Sequence, residues 1–465
     1  MMLVAPLVEK QEIVPRPHQW ESLEFLLANR RLFNLSACGS GKTLPAVMGV
    51  QALYAGDAVR KVLAIAPLSV IRATWVDHME RFAPDVPVML LDVASKRRKL
   101  AAELEGFEGV VLVNPDGMKT VFHELKEWRP ELVVIDELAG YYRNTRTDRW
   151  KSIAALDALC KPAMWGFTGT PVTNDLMDAY AQIMLVNPGM LPRTSNGRPI
   201  SFLAFRDMLC SQPYPNVWVP KKDALDRVYK MMQPAVRYTR EQVMSDLKEP
   251  IRLRKDVPLT PEQKKLHAAM IAQGKAQYGD QTIKGTEAQA LATKLTQIAT
   301  GSVYDSKGEP LHIPIGPRLE ALFDLRREVE NTPLVVAVPF VHVARRLEEE
   351  IASRGYAVEV IIGDVKPGER GDIVERFQAG KVDFLLCHPK TLAHGVTLTR
   401  SHTVVWFGPL YDLELYAQLN DRIFRYGQKE QPLIVEFCST PGEAKIYSAL
   451  RNKEKLAGRF LDLFS

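Results

Sequence analysis

Cysteine is scarce in this chain of 465 residues: Cys38, Cys160, Cys210, Cys387 and Cys438 lie far apart, and no two form a CxxC pair. That spacing excludes a disulfide framework and a structural zinc site, and it points to a reducing compartment. No apolar run reaches the roughly 18 residues a membrane-spanning helix needs. The opening MMLVAPLVEKQEIVPRP lacks a basic leader followed by an apolar stretch and a small-residue cleavage site, so a cytoplasmic protein is expected. No 20- to 50-residue repeat and no low-complexity tract are present, which excludes solenoids and disordered linkers as the main architecture. His18, His388, His394 and His402 show no metal-ligand spacing.

What the chain does contain is ordinary globular material, 46% apolar and 25% charged. Sixty basic against 55 acidic residues give a net charge of +5, which permits a polyanionic partner without requiring one. Nine short apolar runs rich in β-branched residues alternate with helical patterns: KVLAIAPLS, GVVLVNP, ELVVIDE, AMWGFTG, PLVVAVPF, VEVIIGD, DFLLCHP, HTVVWFG and PLIVEFCS. Strands that are apolar on both faces belong to parallel sheets covered by helices on each side. They fall into two sets, so an α/β fold of two tandem lobes is expected, 1–245 and 246–465. Helical insertions are expected at about 196–235 and 260–305, where helix formers dominate. LTPEQKKLHAAMIAQGKAQYG carries a threonine cap followed by proline and glutamate, the signals of a helix start. Hinges are expected at RYTREQVMSDLKEP and GSVYDSKGEP.

SACGSGKT, residues 36–43, follows a predicted strand and precedes a predicted helix, the context of a phosphate-binding loop. Gly39 and Gly41 let backbone N–H groups converge on phosphate oxygens, Lys42 can reach the β and γ phosphates, and Thr43 can ligate Mg2+. Ser36 stands where the strict GxxxxGK[ST] pattern has glycine; an isolated GKT turn is the plain alternative. In ELVVIDEL, Asp136 and Glu137 end an apolar strand. There an aspartate can hold Mg2+ through water and a glutamate can orient and deprotonate an attacking water. In QLNDRIFRYGQ, Arg422 and Arg425 are three apart and would share a helical face with Gln418, as two guanidiniums aimed at a γ-phosphate would. A solvated basic face is the alternative there. Lying on the second lobe, these arginines could meet the phosphate loop only across a cleft.

The order of these motifs resembles the Swi/Snf-type DNA translocases among the superfamily-two helicase-like ATPases, in the compact form that bacteria and bacteriophages encode. PRPHQ, with Gln19 in the base-reading place, GSGKT, APLSVIRATW, VNPDGM, DELA, RNTRT and FTGTPVTN resemble the first-lobe elements. KLTQIATG, GPRLEAL, GDVKPGER, HPKTLAHGVTLTRS and QLNDRIFRYGQKEQP resemble those of the second. The resemblance spans about residues 15–430. It implies two RecA-like lobes, ATP and Mg2+ as cofactors, catalytic Lys42, Asp136, Glu137, Arg422 and Arg425, and nucleotide binding by Gln19, Gly39, Gly41, Lys42, Thr43 and Gln418. Metal binding would fall to Thr43 and Asp136. Sequence-independent contacts to duplex DNA would come from Pro67, Asn114, Thr168, Thr170, Asn174, Gly395 and Thr397.

DELA at 136–139, which resembles motif II, departs from the family: Leu138 and Ala139 replace its usual ending, so the histidine link from the ATP site to motif III, FTGTPVTN at 167–174, is absent or made otherwise. A monomer that translocates on DNA is expected, with room for a protein partner. The alternatives are a strand-separating helicase, a motor subunit of a nuclease or methyltransferase complex, and a scaffold that binds nucleotide without hydrolysing it. The basic run SKRRK at 95–99 and Trp75 are expected to be a solvated face and a core residue, and Cys38 is left without a role.

Overall fold

The structure is a computed structural model. It describes residues 14–91, 97–173, 175–215, 217–243, 247–278, 281–285, 287–329, 332–392, 396–425 and 427–464. Asn174, Gly395 and part of the SKRRK run lie outside the described residues.

Two sheets organise the chain, and every pairing within them is parallel. The first holds β1 (Arg31–Asn34), β2 (Lys61–Ile65), β3 (Val88–Leu90), β4 (Gly109–Val113), β5 (Leu132–Ile135), β6 (Ala163–Phe167) and, after the hairpin β7 (Cys210–Tyr214) and β8 (Val217–Pro220), the short β9 (Ala235–Val236). Their spatial order is β3-β4-β2-β5-β6-β1-β9. The second sheet begins with β10 (Ile251–Asp256). After the hairpins β11 (Lys275–Tyr278) with β12 (Gln281–Lys284) and β13 (Ser302–Tyr304) with β14 (Pro310–His312), it continues with β15 (Leu334–Ala337), β16 (Val358–Ile361), β17 (Phe384–Cys387), β18 (Thr403–Trp406) and β19 (Leu433–Cys438). Its order is β10-β19-β18-β15-β17-β16.

All nine runs singled out in the sequence are strands of these two sheets, and RLFNL supplies β1. Both faces of the strands are covered, as their uninterrupted apolar character requires: Leu63, Val111 and Val133 point into one core of the first lobe, Val62, Val110 and Val134 into the other.

The inserted regions differ from the expected helices. Between 196 and 235 the helices Phe202–Leu209 and Ala224–Met231 flank the antiparallel hairpin β7/β8. Exposed Tyr214, Val217 and Val219 lie on this hairpin, and prolines within and beside its short strands masked the period-2 signal. Around 260–305 the helix Pro261–Gln273 starts where its cap predicts. Thr260 Oγ1 accepts from Gln263 N at 3.2 Å and the Gln263 carboxamide accepts from Thr260 N at 2.9 Å, so Gln263 rather than the glutamate closes the capping box. GSVYDSKGEP is the turn of β13/β14, not a hinge: the Asp305 carboxylate accepts the N–H groups of Lys307 and Glu309 and ties the turn.

The C-terminal helix Pro441–Leu461 returns from the second lobe to the first. Tyr447 and Leu450 lie in the second lobe's core, whereas Phe460 is buried in the first lobe's core and Phe464 packs on Tyr229. The last turns of this helix, though they follow the expected boundary at 246, thus pack on the first lobe. Among the described residues, no helix is long and apolar enough to cross a membrane.

Candidate functional site between the lobes

β1 ends at Asn34, and the chain turns through Gly39 (φ 80°) and Gly41 (φ 77°) before the helix Thr43–Ala55. These left-handed conformations are open to glycine at little cost and strained for other residues. At Gly41 a Cβ would also fall 2.5 Å from the Gln19 Nε2. Lys42 Nζ lies across the loop, donating to the carbonyls of Ser36 at 2.9 Å and Ala37 at 3.1 Å. From outside, His18 Nε2 lies 2.9 Å from the Ser40 carbonyl and Gln19 Nε2 donates to the Gly41 carbonyl at 3.0 Å. Buried Gln19 also accepts from Arg16 N, so its carboxamide braces the loop and does not line the cleft.

The cleft has a volume of about 270 Å³ and is lined by Gly39, Gly41, Lys42, Thr43, Val70, Thr74, Asp136 and Glu137 from the first lobe and Thr397, Arg422 and Arg425 from the second. Asp136 immediately follows β5 and is only 5% exposed. Burial, reinforced by the neighbouring Glu137, pushes its carboxyl up to about 6; hydrogen bonding from Trp75 and the charge of Lys42 oppose that rise. Glu137 caps the helix Leu138–Tyr142 with φ 52°, a left-handed conformation that costs a side-chain-bearing residue roughly 1 kcal/mol or more. Such strain is retained where the surrounding structure holds it, and here it presents the carboxylate to the cleft.

Trp75 was expected in the core and is fully buried, yet its Nε1 donates to Asp136 Oδ2 at 3.1 Å. It sits in the π-helical turn Ile71–Val76. That widened turn, which no residue period announces, is what aims the indole at the carboxylate.

Arg422 and Arg425 reach the cleft, but not from a helical face. The helix Leu413–Asn420 stops before them, and both stand in the turn beyond it. Arg422 donates to the carbonyls of Gln418 at 3.0 Å and Val396 at 3.3 Å, Arg425 to the carbonyl of Asp421 and to Thr397 Oγ1 at 3.3 Å. Burial is the main force lowering the proton affinity of both guanidiniums; at Arg422 the neighbouring Arg425 adds to it, while Asp421 and Glu137 oppose it. A polyphosphate in the cleft would relieve that cost. Gln418 is 1% exposed and lies behind Arg422 instead of in the cleft: its carboxamide donates to Glu414 Oε1 at 3.2 Å, and its backbone carbonyl holds Arg422.

The residues expected on nucleic acid are dispersed. Pro67 is buried at the start of a short helix, and Thr168 is 1% exposed with its hydroxyl accepting from Thr170 N. Asn114 is half-buried and its carbonyl accepts from Gly117 N. Thr170 lines a second interlobe cavity of about 200 Å³ together with Cys38, whose thiol burial pushes up to about 12. Thr397 lines the cleft described above and its hydroxyl accepts from Arg425, which places it beside the two arginines. Asn174 and Gly395 lie outside the described residues.

Comparison with known proteins agrees with this arrangement. The chain matches the SNF2-related domain over residues 18–301 and the helicase conserved C-terminal domain over residues 317–427. Protein p41 of Acyrthosiphon pisum secondary endosymbiont phage 1 is 26% identical over 426 residues, covering 88% of each chain. An uncharacterized ATP-dependent helicase of Mycoplasma pneumoniae is 23% identical over 435 residues, 91% of this chain and 39% of that longer protein. Among solved structures, the Sulfolobus solfataricus SWI2/SNF2 ATPase core in complex with dsDNA aligns over 96% of this chain and 92% of its own, at 21% identity and a TM-score of 0.46. With two parallel sheets facing one polar cleft and the first of these domains matched over more than half its length, the chain belongs to the SNF2-related family of helicase-like, ATP-hydrolysing enzymes.

Proposed function

We propose that the chain is a DNA-stimulated ATPase that moves along duplex DNA, with turnover tied to closure of its two lobes. The observation that carries this reading is the convergence of Lys42, Asp136 and Glu137 from one lobe with Arg422 and Arg425 from the other around a single cleft. ATP is the substrate. Its β and γ phosphates would take Lys42 Nζ from the Ser36 and Ala37 carbonyls, and the loop N–H groups and the start of the helix Thr43–Ala55 would bind the same oxygens. Thr43 and Asp136 are the residues that would hold Mg2+, an oxygen donor set suited to that ion. When bound, the ion neutralises phosphate charge. Glu137 orients the attacking water and takes its proton. Arg422 and Arg425 stabilise charge on the γ-phosphoryl oxygens, so hydrolysis requires both lobes to be in contact with one nucleotide.

DNA as the track rests on family membership and on the resemblance of the motif order. Charge distribution supports it. Residues 196–235, the first-lobe insertion, hold six basic residues (Arg198, Arg206, Lys221, Lys222, Arg227, Lys230) and three acidic ones (Asp207, Asp223, Asp226), a net of 6 − 3 = +3. The test is steady-state ATP hydrolysis without nucleic acid and with single-stranded, duplex and branched DNA and RNA. Stimulation by duplex, with Lys42→Ala and Arg425→Ala inactive, is the expected result. Stimulation by single strands alone would favour strand separation, and no stimulation by any nucleic acid would overturn the reading.

A further inference from the structure

Motif II here ends in Leu138, Ala139 and Gly140, so no histidine joins the catalytic carboxylates to their neighbours. A different set of side chains occupies that region and crosses between the lobes. Arg143, one residue beyond the helix that Glu137 caps, donates through Nη1 to Thr173 Oγ1, and that hydroxyl donates to Asp178 Oδ2 at 2.9 Å. The same Nη1 lies 3.6 Å from Oε2 of Glu414, which the second lobe contributes from the helix Leu413–Asn420. Oε1 of Glu414 accepts from Gln418 Nε2, and the Gln418 carbonyl accepts from Arg422 Nε. Glu414 is 5% exposed, a burial that a carboxyl group ordinarily meets only when it has partners.

Gly140 gives an independent sign that this carboxylate is placed deliberately. It lies within the helix Leu138–Tyr142, where alanine is locally the better residue by up to about 1 kcal/mol. A Cβ there would stand 2.4 Å from Glu414 Oε1. The missing side chain makes room for the other lobe's carboxylate.

We infer that Arg143 and Glu414 are positioning residues that join the motif III loop of the first lobe to Arg422 of the second, doing across the cleft what the absent motif II histidine would do within one lobe. The inference rests on the hydrolytic reading above. When the lobes meet, Arg143 Nη1 stands between Thr173 and Glu414, and Gln418 transmits the position of Glu414 to the guanidinium of Arg422. Displacement of the loop at Thr173 would then move the group that faces the γ-phosphate.

The test uses the full chain with Arg143→Gln, Glu414→Gln, the double variant and Gly140→Ala, measuring kcat and KM for ATP with saturating duplex DNA well below the melting temperature. Each single change is expected to lower kcat by about three- to thirtyfold, with a smaller change in KM. The double variant is expected to be no worse than the more impaired single one, because both remove the same link. Gly140→Ala displaces the Glu414 carboxyl group without replacing it, so it should reproduce Glu414→Gln. Multiplicative losses in the double variant, wild-type kcat in Gly140→Ala, or losses that merely follow the folded fraction in a thermal melt would overturn the inference. If the wild-type protein itself shows no stimulated hydrolysis, the functional reading fails by itself. Small-angle X-ray scattering of the same variants then decides the link: a larger radius of gyration in Arg143→Gln and Glu414→Gln supports it, and an unchanged one overturns it.

Discussion

Asp136 combines two demands that pull against each other. Burial against Trp75 removes competing water from a carboxylate that, in the proposed function, must be charged to hold a cation, and its proton affinity rises accordingly, to about 6. The rate should therefore fall as pH drops through about 6, where Asp136 takes up a proton, and a kcat/KM profile measures this acid limb. Trp75→Phe removes the indole donor that favours the charged form. Its acid limb should move to higher pH and its turnover at neutral pH should drop by about tenfold, in line with roughly 1.5–3 kcal/mol for a hydrogen bond to a charged group. An unshifted limb would mean that Trp75 only fills space. Glu414 leads to a stability prediction. Burial raises its carboxyl to about 8 despite Arg143, and Glu137, Asp412 and Asp178 add to the rise. Because the folded-state value lies above the unfolded one, the folded protein retains a proton that the unfolded chain has lost over the interval from about 4.5 to 8. Stability is thus greatest below that interval and declines as pH rises through it. Chemical denaturation at pH 5 and pH 8 should show a smaller decline in Glu414→Gln than in the wild type.

The first-lobe insertion is the element in which charge and exposure coincide. Arg198, Lys222 and Lys230 are exposed there. Replacing all three with alanine should lower duplex affinity and reduce the slope of log K against log salt by about two to three, since each phosphate that a basic side chain neutralises adds about 0.9 to that slope. An unchanged slope in a salt titration would place the DNA elsewhere. At this scale the sequence is legible where one interaction dominates. Parallel strands buried on both faces leave continuous apolar runs, so β2, β4, β5, β6 and the last five strands of the second sheet could be read directly. β10 could not: IRLRKD is an exposed edge strand held by backbone bonds to β19, and it leaves no apolar signature. The glycine turn after β1 and the two carboxylates at the end of β5 were legible because local strand and turn context fixes them. Gln418 and Thr397 were assigned differently from where they lie, and the bond from core Trp75 to Asp136 went unread, because these depend on where the helix Leu413–Asn420 stops, on the second-lobe turn and on a π turn, none of which is encoded in residue spacing. The Arg143–Glu414 contact joins residues 271 positions apart, beyond the reach of any local pattern.

Taken as a whole, the molecule is two sheets whose relative placement is secured by side chains and by one long helix. Arg240 pairs with Asp421 and stacks over Phe424, Arg143 faces Glu414, and the helix Pro441–Leu461 starts on one lobe and ends with Phe460 in the core of the other. Phe460→Ala removes a fully buried ring at a cost of about 3–5 kcal/mol, borne by the anchoring of that helix. Calorimetry should show the wild-type chain unfolding in fewer, more closely spaced transitions than this variant, in which the lobes separate. A variant that melts in the same pattern at a uniformly lower temperature would show that the helix stabilises without coupling.

The central claim is that one catalytic centre is assembled from both lobes. Single-turnover hydrolysis of ATP by Lys42→Ala, by Arg425→Ala and by an equimolar mixture of the two, with duplex DNA present, tests it most directly. The account predicts that each variant loses at least about 10³-fold in the hydrolysis step, as expected for removal of a transition-state cation, and that the mixture stays inactive because both halves of the site belong to one chain. Near wild-type hydrolysis by Arg425→Ala, or recovery of activity in the mixture, would contradict it.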